Sequence, residues 1–200
     1  MSLYSLIAGG PLAGLETGAI IAIAVGAVIV LWAVGAYNAL VRRRNHVDES
    51  WADIETELKR RYNLIPNLVE TVKGYAKHES ETLENVIKAR NAAASPHSSP
   101  EAQAKDENLL SGALRQLFAV AEAYPDLKAN TNFLELQQEL ANTEDRIQRS
   151  RRFYNANVRD LNTRIEVFPS NIIAGMFGFD KREYFEIEDD AEREAPKVEF

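Results

Sequence analysis

The residues best suited to acid–base or metal chemistry lie close together in the sequence, at His78, Glu79 and Glu84. A helix that binds zinc usually places two histidines four positions apart, as in H-E-x-x-H. The other two histidines, His46 and His97, are too distant in the sequence to supply that spacing. We therefore predict neither a catalytic nor a metal site, keep a hydrolase using His78 and Glu79 as an alternative, and expect His97 to be solvated in its Ser/Pro-rich loop.

A second group of polar residues interrupts what is otherwise an apolar helix. Arg61 occupies a position where an apolar residue is expected, and Pro66 follows shortly after it. Proline lacks the backbone N–H and clashes with the carbonyl four residues earlier, a defect of about 3 kcal/mol in a helix. We interpret Pro66 as a kink that makes room for a buried polar layer. The predicted layer comprises Arg61, Asn63, Pro66, Asn67, Glu144, Arg151, Tyr154 and Asn155.

Two roles are open for this polar layer. Buried polar groups are stable when they are hydrogen-bonded, and a polar layer in a helical bundle can fix the register of the helices. On this interpretation Arg61 pairs with Glu144 across the bundle. Alternatively, the polar side chains near Pro66 line a pocket for a small molecule, and the protein is a ligand or signal sensor.

Apolar residues at spacings of three and four predict the two long helices that carry these groups. In the first helix they are Val47, Trp51, Ile54, Leu58, Ile65, Leu68, Val72 and Tyr75, and in the fourth they are Phe133, Leu136, Leu140, Ile147, Tyr154, Val158, Leu161 and Ile165. Two shorter helices are predicted between them, at about 81–93 and 100–123. Ser80, Ser99 and Asn132 are the predicted N-terminal caps of the three later helices.

No alternating apolar pattern of useful length predicts a strand. The expected fold is therefore all-α, with an N-terminal transmembrane helix that continues into an antiparallel, up-and-down four-helix bundle. After the fourth helix, the apolar residues between Ile172 and Phe185 are expected to dock back onto the bundle rather than onto a partner or the membrane surface. The acidic stretch 186–200 is expected to be disordered.

The first apolar segment is long enough to cross a membrane. Residues 17–41 carry no charge, and a helix needs about 20 residues to cross a hydrocarbon core of ~30 Å. The basic run "RRR" at 42–44 follows at once, and the positive-inside rule places it in the cytoplasm. We therefore predict a single-pass protein of the inner cell membrane, with residues 1–16 outside, the span at 17–41 and a cytoplasmic bundle at 42–185.

Side chains along the span predict how it sits in the membrane. Aromatic rings and basic groups at the cytoplasmic end favour the headgroup level. The predicted membrane-interface residues are Trp32, Tyr37, Arg42, Arg43 and Arg44. Gly18, Ala22 and Gly26 fall four apart on one face, an arrangement that lets two helix backbones approach closely in lipid. This face predicts self-association of the protein through its span.

Composition excludes several classes of function. The chain has no cysteine, which removes disulfides, thiolate metal sites and a cysteine nucleophile. Its net charge of -7 argues against nucleic acid as a partner, because phosphate neutralisation needs a basic face. Since the sequence has neither a Gly-rich phosphate loop nor a nucleophile elbow, we predict no cofactor.

Three segments of the sequence resemble the bacterial and archaeal LemA family. They are "YNALVRRRNHVDESWADIETELKRRYNLIPNLVETVKGYAKHE", "AVAEAYPDLKANTNFLELQQELANTEDRIQRSRRFYNANVRDLNTRIEVFPSNIIA" and "FGFDKREYF", and the resemblance runs from about Tyr37 to Phe185. It implies an N-terminal membrane anchor, a cytoplasmic antiparallel helical bundle and no known enzymatic activity. A magnetosome-membrane branch of the family implies roles in membrane organisation. The family supplies no catalytic residues to transfer to this chain.

The residues and the resemblance together predict a non-enzymatic, membrane-anchored helical bundle that acts as a scaffold at the cytoplasmic face of the membrane. Its expected partners are the lipid membrane and either further copies of itself, as a homo-oligomer, or an unknown membrane protein. The ligand or signal sensor remains the alternative.

Overall fold

The computed structural model describes residues 11–186, with side chains from Thr17 onward. Over this range the chain forms helices and no strand, as the all-α prediction requires. The helices are α1 (Pro11–Tyr75), α2 (Ser80–Ala93), α3 (Pro100–Ala121), α4 (Pro125–Lys128), α5 (Thr131–Glu166) and α6 (Ser170–Met176). The first ten residues and the acidic stretch 187–200, for which disorder is predicted, lie outside the described residues.

One helix, α1, contains both the predicted span and the first helix of the soluble part. Its 65 residues extend over about 98 Å at 1.5 Å per residue. Every side chain from Thr17 to Trp32 is exposed, and the most apolar window has a mean hydropathy of 2.7. By length and composition, α1 is a helix able to cross a membrane. Its exposed apolar surface ends where Ala36 and Leu40 become buried, so the C-terminal part of the predicted 17–41 span packs against the protein's own helices.

The core lies mainly between α1 and α5, along the two seams that the sequence predicts. The buried apolar residues are Val47, Ile54, Leu58, Ile65, Leu68 and Val72 on α1 and Phe133, Leu140, Ile147, Tyr154, Val158 and Leu161 on α5. Residues later in α1 contact residues earlier in α5. The pairs are Arg43–Asp160, Arg61–Glu144 and Tyr75–Asn130. The C-terminal end of α5 therefore lies beside the part of α1 that directly follows the apolar segment.

Helices α2 and α3 pack on each other, and α2 also contacts α1. The start of α3 is the one that the sequence predicts. The hydroxyl oxygen of Ser99 accepts a hydrogen bond from the backbone N–H of Ala102 at 3.2 Å, and Pro100 is the first helical residue. Proline is favoured there because its missing N–H would have no partner inside the helix.

The other two predicted caps are wrong. Helix α2 begins at Ser80 itself, and the preceding residue, Glu79, makes no capping hydrogen bond with its side chain. The cap of α5 is Asn130, whose Oδ1 accepts a hydrogen bond from the N–H of Phe133 at 3.0 Å. The amide of Asn130 also donates to the hydroxyl of Tyr75 at 3.0 Å, a tertiary contact made by the cap residue, which lies two residues before Asn132.

Two short helices and the segment after them complete the fold, and neither helix is in the sequence prediction. Helix α4 lies within the expected loop after α3 and buries Leu127, while α6 buries Ile173 and Ala174. Residues 177–186, which we call the C-terminal strap, bury Phe179 and Phe185. The expected docking of the apolar C-terminal residues is therefore present for part of this region. Other apolar side chains of α6 remain exposed.

Candidate functional site

Arg61 is the centre of the buried polar cluster. Its side chain is only 2 % exposed, and its guanidinium lies against two carboxylates from different helices. One Nη donates to Glu144 of α5 at 2.6 Å, and the other donates to Glu107 of α3, which is fully buried. A buried charge is stable only when it is paired and hydrogen-bonded. The structure thus joins the two residues whose pairing the sequence predicts and adds a third from α3.

Glu107 is held by two further side chains. The hydroxyl of Tyr62 hydrogen-bonds to Glu107, and the amide of Gln103 donates to it at 2.8 Å. Gln103 also donates to the backbone carbonyl of Ala93 at 2.9 Å, which ties the end of α2 to the cluster. Burial, and then the negative charge of Glu107, raise the pKa of Tyr62, so the phenol keeps its proton and serves as a donor.

Sequence reasoning missed Tyr62, Gln103 and Glu107. A signal was present for two of them, since the inward-facing seam of α3 runs at spacings of three and four through both polar residues. The buried positions of this helix are Gln103, Ala104, Glu107, Leu110, Leu114, Leu117 and Ala121. Polar residues on an apolar seam, as at Arg61, mark a buried partner set.

The place of Pro66 differs from the prediction. Helix α1 continues through this residue, and Pro66 is exposed. Because proline has no N–H, the carbonyl of Tyr62, four residues earlier, lacks its usual helical donor. Arg90 of α2 fills that position, since its Nε donates to the Tyr62 carbonyl at 3.2 Å. Pro66 therefore frees an acceptor on α1 that α2 uses as a docking point.

Asn63, Pro66 and Asn67 do not belong to the buried layer, and this part of the prediction is wrong. All three side chains are exposed. At about 100° per residue, Asn63 and Asn67 point roughly 160° and 120° away from Arg61 around the helix axis, so the two face solvent while Arg61 faces the core. The sequence places these residues near one another along the chain without placing them on one face.

Tyr154 and Asn155 bind the C-terminal strap instead of the Arg61 cluster. The Tyr154 hydroxyl donates to the carbonyl of Glu183 at 2.9 Å. Asn155 makes two bonds with the backbone of Phe185, accepting from its N–H at 2.9 Å and donating to its carbonyl at 3.1 Å. Two turns further on, Asn162 makes the same pair of bonds with the backbone of Arg182, both at 2.9 Å. The two amides thus hold the strap as a neighbouring β-strand would.

The other side of the strap meets α1. The indole of Trp51 contacts the rings of Tyr154 and Phe185, each with centroids 5.3 Å apart, and Arg182 donates to Asp48 at 3.0 Å. Burial raises the pKa of Tyr154 to about 12. The strap therefore packs on both α1 and α5, near Asp48 and Trp51 of α1.

Arg151, the remaining member of the predicted layer, lines a cavity of about 370 Å³ between α3 and α5. The cavity has an apolar floor and polar groups around it. Its lining residues are Arg61, Ser111, Leu114, Arg115, Phe118, Gln137, Leu140, Ala141, Glu144, Ile147, Gln148 and Arg151. This mixture fits a small molecule with one apolar part and one polar or anionic part.

The predicted membrane-interface residues divide into two groups. Trp32 and Arg42 are exposed. The others contact the protein itself. Tyr37 packs on Phe177 and Phe179, with ring centroids 4.8 and 5.8 Å apart, Arg43 pairs with Asp160 at 3.4 Å, and the Arg44 guanidinium lies 5.4 Å from the ring centre of Phe179. Arg43 and Arg44 of the basic run are therefore also part of a packing surface.

Nearer the N-terminus of the span, the predicted self-association face makes no contact with the rest of the described protein. Gly18, Ala22 and Gly26 are exposed, and among the described residues no side chain or distant backbone atom lies within 4 Å of a Cβ built on either glycine.

The candidate acid–base residues do not come together. His78 and Glu84 are exposed, whereas Glu79 accepts a hydrogen bond from the hydroxyl of Tyr124 at 3.1 Å. No group of three metal-binding side chains is present among the described residues. His97, expected to be solvated, instead lies with its Nε2 2.8 Å from the carboxylate of Asp106 and is 11 % exposed, because its loop folds onto the first turns of α3.

Comparisons with known proteins point to one family and to two kinds of named relative. A model of the LemA family matches residues 50–200. Protein LemA of Metamycoplasma hominis is 30% identical over 144 residues, 70% of this chain and 64% of that protein. Magnetosome protein MamQ of Magnetospirillum gryphiswaldense is 24% identical over 174 residues, 74% of this chain and 64% of that protein. Magnetosome protein MamQ 2 of Paramagnetospirillum magneticum is 36% identical over 74 residues, 37% and 27% of the two chains. This chain thus spans less than two thirds of the length of these relatives.

Removing the charge of Arg61 tests the cluster. Arg61→Met leaves Glu107 buried without its cation, and we expect the free energy of unfolding to fall by about 3–5 kcal/mol. The control Arg43→Met removes an exposed partner of Asp160 and is expected to cost about 1 kcal/mol or less. In the double variant Arg61→Met/Glu107→Gln, much of the loss should be recovered, because the carboxylate left without its cation is then Glu144, which is 38% exposed and reached by water, and not the fully buried Glu107. Urea unfolding followed by circular dichroism measures all three, and equal losses in the two single variants would contradict the assignment.

The link between Pro66 and Arg90 predicts a coupling between two substitutions. Arg90→Met leaves the Tyr62 carbonyl without a donor, and we expect a loss of about 1–3 kcal/mol. In a Pro66→Ala background the restored helical N–H satisfies that carbonyl, so Arg90→Met should cost less than half as much. A double-mutant cycle by urea unfolding measures the difference. If Arg90→Met costs the same in both backgrounds, Arg90 does not compensate for the proline.

Proposed function

Since the chain belongs to the LemA family, we propose that it is a non-enzymatic, membrane-anchored scaffold at the cytoplasmic face of the cell membrane. The observation that carries this proposal is the continuity of α1. The same helix presents an uncovered apolar surface from Thr17 to Trp32 and then supplies half of the main core seam. A rigid connection of this kind holds the soluble helices at a fixed distance from the bilayer.

In this proposal the soluble part is an antiparallel, up-and-down four-helix bundle of α1, α2, α3 and α5. The order of contacts between α1 and α5 supports opposite directions for these two helices. The connections from α1 to α2 and from α2 to α3 are short, as neighbouring antiparallel helices require. Polar contacts from Arg61 and Tyr62 to Glu107 support a position of α3 beside α1.

The proposed orientation puts the N-terminus outside and the bundle in the cytoplasm. The basic run Arg42, Arg43 and Arg44 directly follows the apolar segment, and cytoplasmic flanks carry such charges. Because Arg43 and Arg44 also contact the bundle, the bundle and the basic run lie on the same side of the membrane.

The scaffold works, in this proposal, through further copies of the chain that meet at the Gly18, Ala22 and Gly26 face, or through another membrane protein that uses it. Small residues four apart allow close approach of two helices in lipid. The relatives named as magnetosome proteins favour a role in organising a membrane over a soluble activity.

The mass of the full-length protein in lipid nanodiscs or mild detergent tests self-association. We expect a defined oligomer by light scattering, and Gly18→Ile/Gly26→Ile should convert it to a monomer because the added side chains separate the helices. Gly35→Ile is the matched control. It also lies in an exposed part of α1 with no atom near its Cβ position, but on the opposite side of the helix.

A monomer in every variant would remove the homo-oligomer. The proposed partner would then be a different membrane protein. An oligomer that survives Gly18→Ile/Gly26→Ile would move the contact away from this face.

A second candidate function, a small-ligand or signal sensor, is favoured by the cavity between α3 and α5. Arg61 and Arg151 border it, and Leu140 and Ile147 supply apolar surface. Both arginines are buried, so a polar or anionic group placed beside them would meet guanidinium groups. Pro66 itself is not among the residues that line this cavity.

A medium-chain carboxylate such as decanoate is a direct probe for this candidate. We expect it to raise the melting temperature of the full chain in a concentration-dependent way, because a ligand that binds only the folded state stabilises it. Ala141→Trp fills the cavity and should abolish the shift, while Ala52→Trp, on an exposed part of α1 outside the cavity, should preserve it. A shift that persists in Ala141→Trp would place the probe elsewhere, and no shift at all would argue against this ligand class.

A further inference from the structure

An exposed apolar surface lies around α6, beside the C-terminal end of the apolar segment of α1. Helix α6 is anchored by Ser170, Ile173 and Ala174, which are buried. Large apolar side chains on and beside α6 remain exposed. They are Val167, Phe168, Ile172, Met176 and Phe177, with exposed fractions of 40%, 79%, 51%, 72% and 58%. We call these five residues the α6 collar.

The position of the collar along α1 is set by direct contacts. Phe177 packs on Tyr37, with ring centroids 4.8 Å apart, and α6 contacts α1. Glu16 is the last charged residue before the apolar segment, so the hydrocarbon region begins no earlier than Thr17. A core of ~30 Å takes up about 20 residues at 1.5 Å each, which reaches Tyr37. The collar therefore lies at the level where α1 leaves the hydrocarbon.

We propose that the α6 collar inserts into the interface of the bilayer beside α1 and gives the bundle a second contact with the membrane. The inference rests on the proposed function, in which α1 crosses the membrane. Lipid is the occupant because the collar is continuous with the lipid-facing surface of α1, and because exposed large apolar groups at this level meet acyl chains and headgroups rather than water. Arg42 and Arg44, exposed on α1 nearby, fit an anionic headgroup layer.

The consequence is a restriction on the tilt of the molecule. A single helix that crosses a bilayer can tilt together with the domain that is rigidly joined to it, and the tilt is set by packing and interfacial anchors. With the collar in the interface, the bundle is held in one orientation against the membrane. The strap carries this restraint further, because it continues from Phe177 to the Trp51 and Asn155 contacts deep in the bundle.

Nitroxide labels on single cysteines test the inference in the full-length chain, which has no cysteine of its own. The variants Ile172→Cys and Met176→Cys report on the collar. Val28→Cys, 65% exposed in the apolar segment, is the lipid reference, and Leu134→Cys, 48% exposed at the opposite end of α5, is the water reference. The protein is placed in nanodiscs of phosphatidylcholine and phosphatidylglycerol, and collisions with oxygen and with a water-soluble nickel chelate are measured by electron paramagnetic resonance.

We expect the ratio of oxygen to nickel collisions at both collar sites to exceed that at Leu134→Cys several-fold and to approach that at Val28→Cys. If the collar sites resemble Leu134→Cys while Val28→Cys reports lipid, the inference is overturned and the membrane anchor stands. Collar labels sheltered from both reagents would mean that protein covers the surface, which also overturns it. A water-like ratio at Val28→Cys would instead overturn the proposed anchor itself.

Discussion

The positive charge of Arg61, enclosed within the protein, is the constraint to which the rest of the soluble part conforms. A guanidinium at 2 % exposure needs carboxylates around it, and one comes from α3 and one from α5. A cavity lined by residues of α3 and α5 lies beside these contacts, and Arg61 and Glu144 are among its lining residues. The same charge thus links three helices and borders the cavity.

Pro66 affects the contact between α1 and α2, which does not involve the charge of Arg61. It removes one N–H from α1, and the freed carbonyl of Tyr62 receives Arg90 of α2. Two adjacent residues of α1 thereby bond to three other helices. The side chain of Arg61 reaches α3 and α5, while the hydroxyl of Tyr62 bonds to α3 and its carbonyl to α2. A defect that weakens an isolated helix becomes a tertiary contact when another helix supplies the missing donor.

Helix α1 also joins two environments. Its exposed apolar residues suit lipid, while its buried residues, which begin at Ala36, suit the protein core. Helix α6 and the strap lie at the junction, where α6 contacts α1 and Phe179 packs on Tyr37 and Arg44. The strap then uses Asn155 and Asn162 to satisfy its backbone, so a segment without regular structure stays attached to α5.

The sequence by itself determined the all-α class, the apolar segment, the seams of α1 and α5, and the Arg61–Glu144 pair, because helical periodicity exposes both apolar stripes and polar exceptions to them. Only the tertiary structure decided that Glu107, Tyr62 and Gln103 join that pair, that Tyr154 and Asn155 hold the strap, and that Asn130 rather than Asn132 caps α5. Each depends on which helix faces which, and on hydrogen bonds between residues distant in the chain. Local periodicity carries no information about such partners. It does place Asn63 and Asn67 on a different side of α1 from Arg61, so their assignment to the buried layer was wrong because it followed their proximity along the chain.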